Sequence, residues 1–488
     1  MKKLRTFLLI AAILLVVACV AGFIPHWRME SYVAALHAKG EKITFRELRA
    51  SLSLNTEDSL AVLTNILQKL GQPPANSTNL GTMHFIGPGR ARVAWKQSMP
   101  PWPASEGGEK KTTWGSVSNL ITAETASLRE LRAALKQPSP NAGFQTNYFG
   151  SWKSSILKPR MHLVRSAASW LAGGALVALH DGQQAAALAN IQAIAGLADL
   201  HREEYELASQ MLRMEVARLG LHLTWEALQK EGWNDEQLLA LQHCWEKLDL
   251  LEALERGMEG ERCFGMEARR MLRESSGRLE ERLGETTTKP SESKGKRLFN
   301  HALARRLLVG TYAENDWLFY LRFMQAEVED ARALRANRKW KEIADSLRAR
   351  EVQINKMFDS PMRFLHLLSL TAIPNFHGAY RTASRTETER RLAVTAIALK
   401  RYQLKRGNNA PSLEALVTEF LAAVPNDCMS GQPLCYRVNA GGTFTLYSVG
   451  DDGKDDGGNP TVTKPSANLG LWDGLDAVWP SAEYLALP

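Results

Sequence analysis

The chain has few of the features that usually announce a function. It has no Gly-x-Ser-x-Gly elbow, no His-Glu-x-x-His helix and no Gly-Lys-Ser/Thr phosphate loop, which removes the motif-based case for an α/β-hydrolase, a zinc protease or a P-loop enzyme. Gly87-Pro88-Gly89 begins like a dinucleotide loop, but Arg92 stands where the third glycine belongs. The net charge is only +8 over 488 residues, with Lys and Arg interleaved among Asp and Glu as in Glu267-Ala268-Arg269-Arg270. That pattern describes solvated helix faces, so no nucleic-acid partner is expected. No 34-residue repeat recurs, and only one long apolar run is free of charge.

That run is Phe7 to Ile24, closed by Pro25 and preceded by Lys2, Lys3 and Arg5. As a helix it would span roughly 27 Å, about the thickness of the hydrocarbon layer. The basic residues before it place the short N-terminus in the cytoplasm and the bulk of the chain on the exoplasmic, periplasmic or extracellular side. His26, Trp27 and Arg28 suit the headgroup layer. The preferred reading is an uncleaved signal anchor contacting the membrane through residues 7–24. A cleaved signal peptide, with Ala18 and Ala21 as small residues, and a lipoprotein, with Cys19 acylated in Val16-Val17-Ala18-Cys19, remain alternatives.

With 45% hydrophobic residues the chain can bury a large core. The pattern reads as mainly α, with a helical-hairpin bundle or irregular solenoid following the transmembrane helix. The expected units are the anchor (1–25), a mixed helix and loop region (26–115), a helical-hairpin domain (116–284), a linker (285–296), a second helical region (297–385) and an α+β module with its tail (386–488). Within 26–115, helices are expected at Ser31–His37 and Thr56–Leu70, and a strand at Val93–Trp95. Leu188, Ile191, Ile194 and Leu197 recur at helical spacing after the break at Asp181-Gly182, and Leu238, Leu241, Trp245 and Leu248 do so after a cap at Asn234 or Asp235.

In the last unit a helix is expected over Glu387–Arg406 with Gly407 as its C-terminal cap, then a β-hairpin of Leu434–Val438 and Thr443–Val449 about Asn439-Ala440-Gly441-Gly442. Of the five cysteines, Cys244 and Cys263 fall in helices as free thiols. Cys428 and Cys435 enclose a Gly/Pro turn that lets the sulfurs approach, and in an oxidising compartment a disulfide is the natural reading. After the hairpin, Gly450-Asp451-Asp452-Gly453-Lys454-Asp455-Asp456-Gly457-Gly458 supplies carboxylates and turn carbonyls of the kind calcium takes. The expected ligands are Asp452, Asp455 and Asp456.

Leu446-Tyr447-Ser448-Val449-Gly450-Asp451-Asp452-Gly453-Lys454, with Asp427, Gly431 and Pro433-Leu434-Cys435-Tyr436 before it, resembles the C-terminal part of type II secretion major pseudopilins. The resemblance covers 387–459. It implies a long helix, a small sheet and a calcium-holding loop, and the paired cysteines at positions where that family has other residues support the disulfide. The chain lacks that family's glycine-ended leader and the glutamate inside the apolar helix. As a whole it resembles large bacterial envelope proteins with an anchor, a helical body and a small terminal module, and that resemblance brings no activity with it. The expected function is therefore a non-enzymatic, membrane-anchored scaffold for an envelope protein partner. The alternatives are an exported hydrolase with its site in the helical body, and an accessory component of a secretion or pilus-like assembly.

Overall fold

Local capping chemistry sets some of the helix ends. Asn234 accepts from Gln237 N at 2.8 Å while Gln237 returns the bond to Asn234 N, satisfying two of the backbone donors that a helix start leaves open. Gly407 adopts φ +76° after Arg406 and closes the last long helix with its N–H on Gln403 O. The computed structural model describes residues 24–50, 64–70, 73, 80–102, 112–136, 157–274, 313–462 and 469–483. Among them the helices are α1 (24–38), α2 (Phe45–Ala50), α3 (64–69), α4 (Trp114–Ala123), α5 (Thr125–Ala134), α6 (Leu157–His180), α7 (Gln184–Asp199), α8 (Leu207–Leu228), α9 (Asp235–Glu246), α10 (Leu250–Glu274), α11 (Glu314–Arg335), α12 (Trp340–Asp359), α13 (Leu367–Ala372) and α14 (His377–Arg406). The expected anchor, residues 7–24, lies almost wholly outside the described residues, as do Cys19 and the linker 285–296. Of the helix expected at Thr56–Leu70, residues 64–69 are described and helical.

The protein is mainly helical, with two small three-stranded sheets. One sheet joins β1 (His84–Gly87), β2 (Arg90–Arg92) and β6 (Ser481–Glu483) in the order β1-β2-β6, so the end of the chain pairs parallel with a strand nearly 400 residues earlier. The other joins β3 (Cys435–Val438), β4 (Phe444–Ser448) and β5 (Ala477–Val478). The expected hairpin is present, with Tyr436 opposite Leu446 and Val438 opposite Phe444.

Three expectations are corrected. Val93–Trp95 is not a strand: Ala94–Lys96 forms a 3₁₀ turn, because Ala94 N–H is taken by the Glu226 carboxylate rather than by a neighbouring strand. The boundary at 385/386 cuts through α14, which begins at His377 and packs on α8, α9 and α10. One hydrophobic core runs from Met29 to Ala477, so the expected units share an interior. That also decides between bundle and solenoid. Solenoid units touch only their neighbours, whereas α14 lies against helices more than 100 residues away in sequence. Met161–His180 is apolar and long enough to cross a membrane by length and composition, but it is mostly buried against α7 and α8, and Arg165 interrupts it.

Close backbone approach makes some glycines obligatory. A Cβ on Gly260 of α10 would stand 1.6 Å from Tyr205 O, a clash with main chain that no rotamer change relieves. Gly260→Ala is expected to destabilise the fold by about 2 kcal/mol or more in urea unfolding. A loss within about 0.5 kcal/mol, the scatter of neutral surface changes, would show that α10 does not approach Tyr205 so closely.

Candidate functional site

The C-terminal end of α8 fixes one wall of a cleft lined by α6, α8 and α14. Glu226 is wholly buried and accepts from Met83 N at 2.8 Å and Ala94 N at 2.9 Å. Trp95 Nε1 donates to Glu226 O at 2.9 Å, and Trp225 Nε1 donates to Pro480 O at 2.9 Å. One turn of helix thus holds both the β1–β2 hairpin and the chain end that supplies β6. Met83 sits at φ +47°, a left-handed conformation that costs a non-glycine residue roughly 1–2 kcal/mol.

The cleft encloses about 950 Å³ between α6, α8, α14, the segment Gly81–Ile86 and the turn 469–471. Along α8 the residues Met211, Glu215, Arg218 and His222 form one stripe at helical spacing. Met83, Met161 and Met214 also line the space, and such unbranched thioethers adapt to varied apolar groups. Arg165 from α6 grips Glu215 with two parallel bonds, Nε to Oε1 at 2.9 Å and Nη2 to Oε2 at 2.7 Å. Opposite, α14 presents Thr382 and Thr386, and one turn further on lies Glu389.

Glu389 is buried, and Trp472 Nε1 donates to its Oε1 at 2.6 Å. Its Oε2 stands 3.4 Å from Arg218 Nε and 3.6 Å from His222 Nε2, and neither Oε2 nor His222 Nε2 has a full hydrogen bond. Burial works to raise this carboxyl, but Arg218, His222 and the Trp472 N–H outweigh it and hold the group below its ordinary value. The cleft therefore has an ionised, buried acid behind a half-exposed guanidinium and an imidazole. Such an arrangement can bind an acidic group at Arg218, or position His222 as a base.

The residues expected from sequence lie elsewhere. Asp452, Asp455 and Asp456 occupy the turn after β4, where the carboxylates of Asp452 and Asp455 each accept from a different backbone N–H and Asp456 is bonded through its own N–H. Asp452 Oδ1 accepts from Lys454 N at 3.0 Å, Asp455 Oδ1 accepts from Tyr447 Oη at 3.0 Å and Gly457 N at 2.9 Å, and Asp456 N donates to Asp476 Oδ1 at 3.3 Å. The geometry does not gather the three as a calcium ligand set, and among the described residues no group of three His, Cys, Asp or Glu is placed to hold a metal. Neighbouring Asp451 instead ties the turn to α14, accepting from Arg381 at 2.6 Å and from Arg385. The expected disulfide is also corrected: Cys428 and Cys435 are both free thiols. Cys428 is buried against α14, with Thr388 beside it, while Cys435 lies on the hairpin with Sγ 3.9 Å from Asp455 Oδ2. Burial pushes the Cys428 thiol up to about 12. The free thiols expected at Cys244 and Cys263 are present.

Sequence reasoning missed the cleft because Glu389 is far along the chain from Arg218 and His222. The signal that was there is the polar spacing itself: Thr382, Thr386 and Glu389 on one face of α14, and Glu215, Arg218 and His222 on one face of α8. No protein-family model matches the chain, and no curated protein or solved structure matches it at a significant level.

Two measurements follow from this geometry. Burial raises the Glu226 carboxyl to about 8, with the Met83 and Ala94 N–H groups opposing it. The folded state then holds a proton that the unfolded chain releases above the ordinary carboxyl value of 4.5, so this contribution is present at low pH and is lost as pH rises through the folded pKa. Glu226→Gln, neutral at every pH and still an acceptor, is expected to become progressively more stable relative to the parent between pH 4.5 and 8. A pH-independent difference in chemical-denaturation midpoints would show that Glu226 is ionised in the fold. Alkylation of unreduced, denatured protein is expected to label Cys244, Cys263, Cys428 and Cys435 alike; protection of the last two would restore the disulfide.

Proposed function

We propose that this is a membrane-anchored interaction scaffold, held through residues 7–24 with its bulk on the exoplasmic side, whose cleft receives an extended segment of an envelope protein partner. The observation that carries the reading is the coincidence of a strand edge with an adaptable apolar wall. β1 is an outer strand of its sheet, and His84, Phe85 and Ile86 line the cleft facing the methionines of α6 and α8. A peptide pairing with β1 gains main-chain hydrogen bonds from the edge, and alternate side chains enter the pocket. Arg218 selects an acidic residue on that peptide, since Glu389 neutralises it only in part through a contact of 3.4 Å. The volume of about 950 Å³ is at the top of the range usual for small molecules and suits a short peptide stretch.

A second reading, an exported hydrolase, has one observation in its favour. His222 lies beside the buried carboxylate of Glu389 in the cleft, the pairing that orients a general base. The accessory role in a secretion assembly rests on the resemblance of the C-terminal module alone, a fold-level warrant.

A photo-crosslinking residue in place of exposed His84, in the full chain in intact cells, tests the reading. A partner adduct is expected that is lost with Met211→Lys and with Phe85→Pro or Ile86→Pro. The register of β1 against β2 shifts between Phe85 and Gly87, so both positions are changed in turn, each proline removing a backbone donor at the cleft-lining strand. The adduct is expected to survive His222→Gln. An adduct indifferent to the proline and lysine changes sinks the strand-pairing reading, and one that accumulates only with His222→Gln points to trapped substrate and the hydrolase.

A further inference from the structure

Six of the ten large apolar side chains that stand exposed among the described residues belong to two stretches of chain: Ile24 and Trp27, then Val352, Phe358, Met362 and Leu367. Leu367 is 62% exposed, Trp27 59% and Met362 54%, fractions that a folded surface rarely leaves to residues of this size in a group. The stretches are more than 300 residues apart in sequence, and α11 brings them to one end of the helical body. α1 runs alongside α11 in the same direction: His26 Nδ1 is 3.8 Å from Glu314 Oε2, the Arg322 guanidinium lies 5.3 Å from the Tyr32 ring, and Arg332 pairs with Glu41. α12 runs the opposite way. Ser346 Oγ donates to Asp330 at 2.9 Å, Arg350 Nε donates to Glu327 at 2.8 Å, and after the helix His366 Nδ1 comes within 3.8 Å of Asp316 Oδ1. Residue 24 and residues 358–367 therefore flank the start of α11.

That end is where the apolar run Phe7–Ile24 joins the body. We infer that the end of the helical body formed by the distal half of α12 and residues 360–372 lies on the bilayer surface as a second, peripheral membrane contact beside the anchor. Three features favour lipid as the occupant. The apolar run stops at Ile24, the first described residue of α1, leaving no spacer in sequence to lift this end away from the headgroups. Trp27 and Arg28, both exposed, are the residue types that settle at that depth. The distal half of α12 is exposed nearly all round, with Ile354 and Met357 half-buried beside Val352 and Phe358, as in a helix resting in an interface. The charges among them are mixed, with exposed Arg28, Lys356 and Arg363 against Glu351 and Asp359. Apolar insertion, rather than attraction to anionic lipid, carries the contact, so added salt leaves it in place.

The contact also constrains the cleft, since a body held at two points presents its sites at a set orientation to the membrane instead of swivelling about the anchor. The test uses the full chain in vesicles of phosphatidylethanolamine and phosphatidylglycerol, with a benzophenone amino acid replacing Phe358, Met362 or Leu367 one at a time. Leu404 and Val438, exposed apolar residues on the last helical turn of α14 and on the hairpin, serve as controls, and Val16 reports on the anchor. Lipid adducts are expected at the three test positions, undiminished in high salt, and none at the controls. Chain-to-chain adducts at the test positions, equal lipid labelling at the controls, or no lipid adducts at Met362 and Leu367 each overturn the inference. Labelling at Val16 then shows whether the anchor reading stands without it.

Discussion

The carboxyl of Glu226 is the point on which the site depends. It is buried in the last turn of α8, where it takes the N–H groups of Met83 and Ala94, and so fixes the two ends of the β1–β2 hairpin to a helix in the middle of the bundle. Its helical neighbour Trp225 holds Pro480 by the same means, which delivers β6 to β2. That turn helps keep the small sheet registered against the helices, together with His180 on Trp95 O, since a three-stranded sheet of such short strands is marginal alone. The left-handed backbone at Met83 makes the same point energetically: the strained residue is the one whose N–H the carboxyl accepts.

The arrangement places ionised groups inside the helical body. Glu389 is taken out of water by α14 and kept ionised by groups from α8 and from the turn at Trp472. An unpaired buried carboxylate would cost several kcal/mol, so Arg218, His222 and Trp472 are needed to keep it there. The same logic recurs away from the cleft. Arg390 and Arg391 share the buried Glu387 and hold its carboxyl down to about 2, and Arg350 bridges Glu327 and Asp330 between α12 and α11. The Glu387 pairs lie within α14 and the Arg350 pairs join consecutive helices; Glu387 and Asp330 are each satisfied by more than one bond, which favours a single packing of the helices.

The C-terminal module is part of this body rather than an appendage. α14 supplies the core of the bundle and also the platform for the hairpin, with Arg381 and Arg385 gripping Asp451 and Arg385 lying over the Trp472 ring at 5.3 Å. Among the aspartates that look like a metal loop in sequence, Asp451 is an ion-pair partner, while Asp452 and Asp455 each accept from the backbone N–H two residues on, as Asp does in Gly-rich turns.

The sequence by itself determined the helical class, the Asn234 and Gly407 caps, the α6–α7 hairpin at Asp181-Gly182 and the β3–β4 hairpin, because each is written in contiguous residues through period, cap and turn chemistry. It also marked the buried stripe Leu238, Leu241, Trp245 and Leu248. It could not show that Ala94 turns away from a strand, since the competing acceptor is Glu226, 132 residues on. It could not divide the chain correctly at 385/386, because α14 owes its first ten residues to packing and ion pairing, not to a change in composition. The separation of Cys428 from Cys435 and the scattering of the aspartate carboxylates are likewise matters of where side chains point. The meeting of His222 with Glu389 was decided only by tertiary structure: local pattern fixes the face on which a residue lies, and only the packing of α8 against α14 fixes what that face meets.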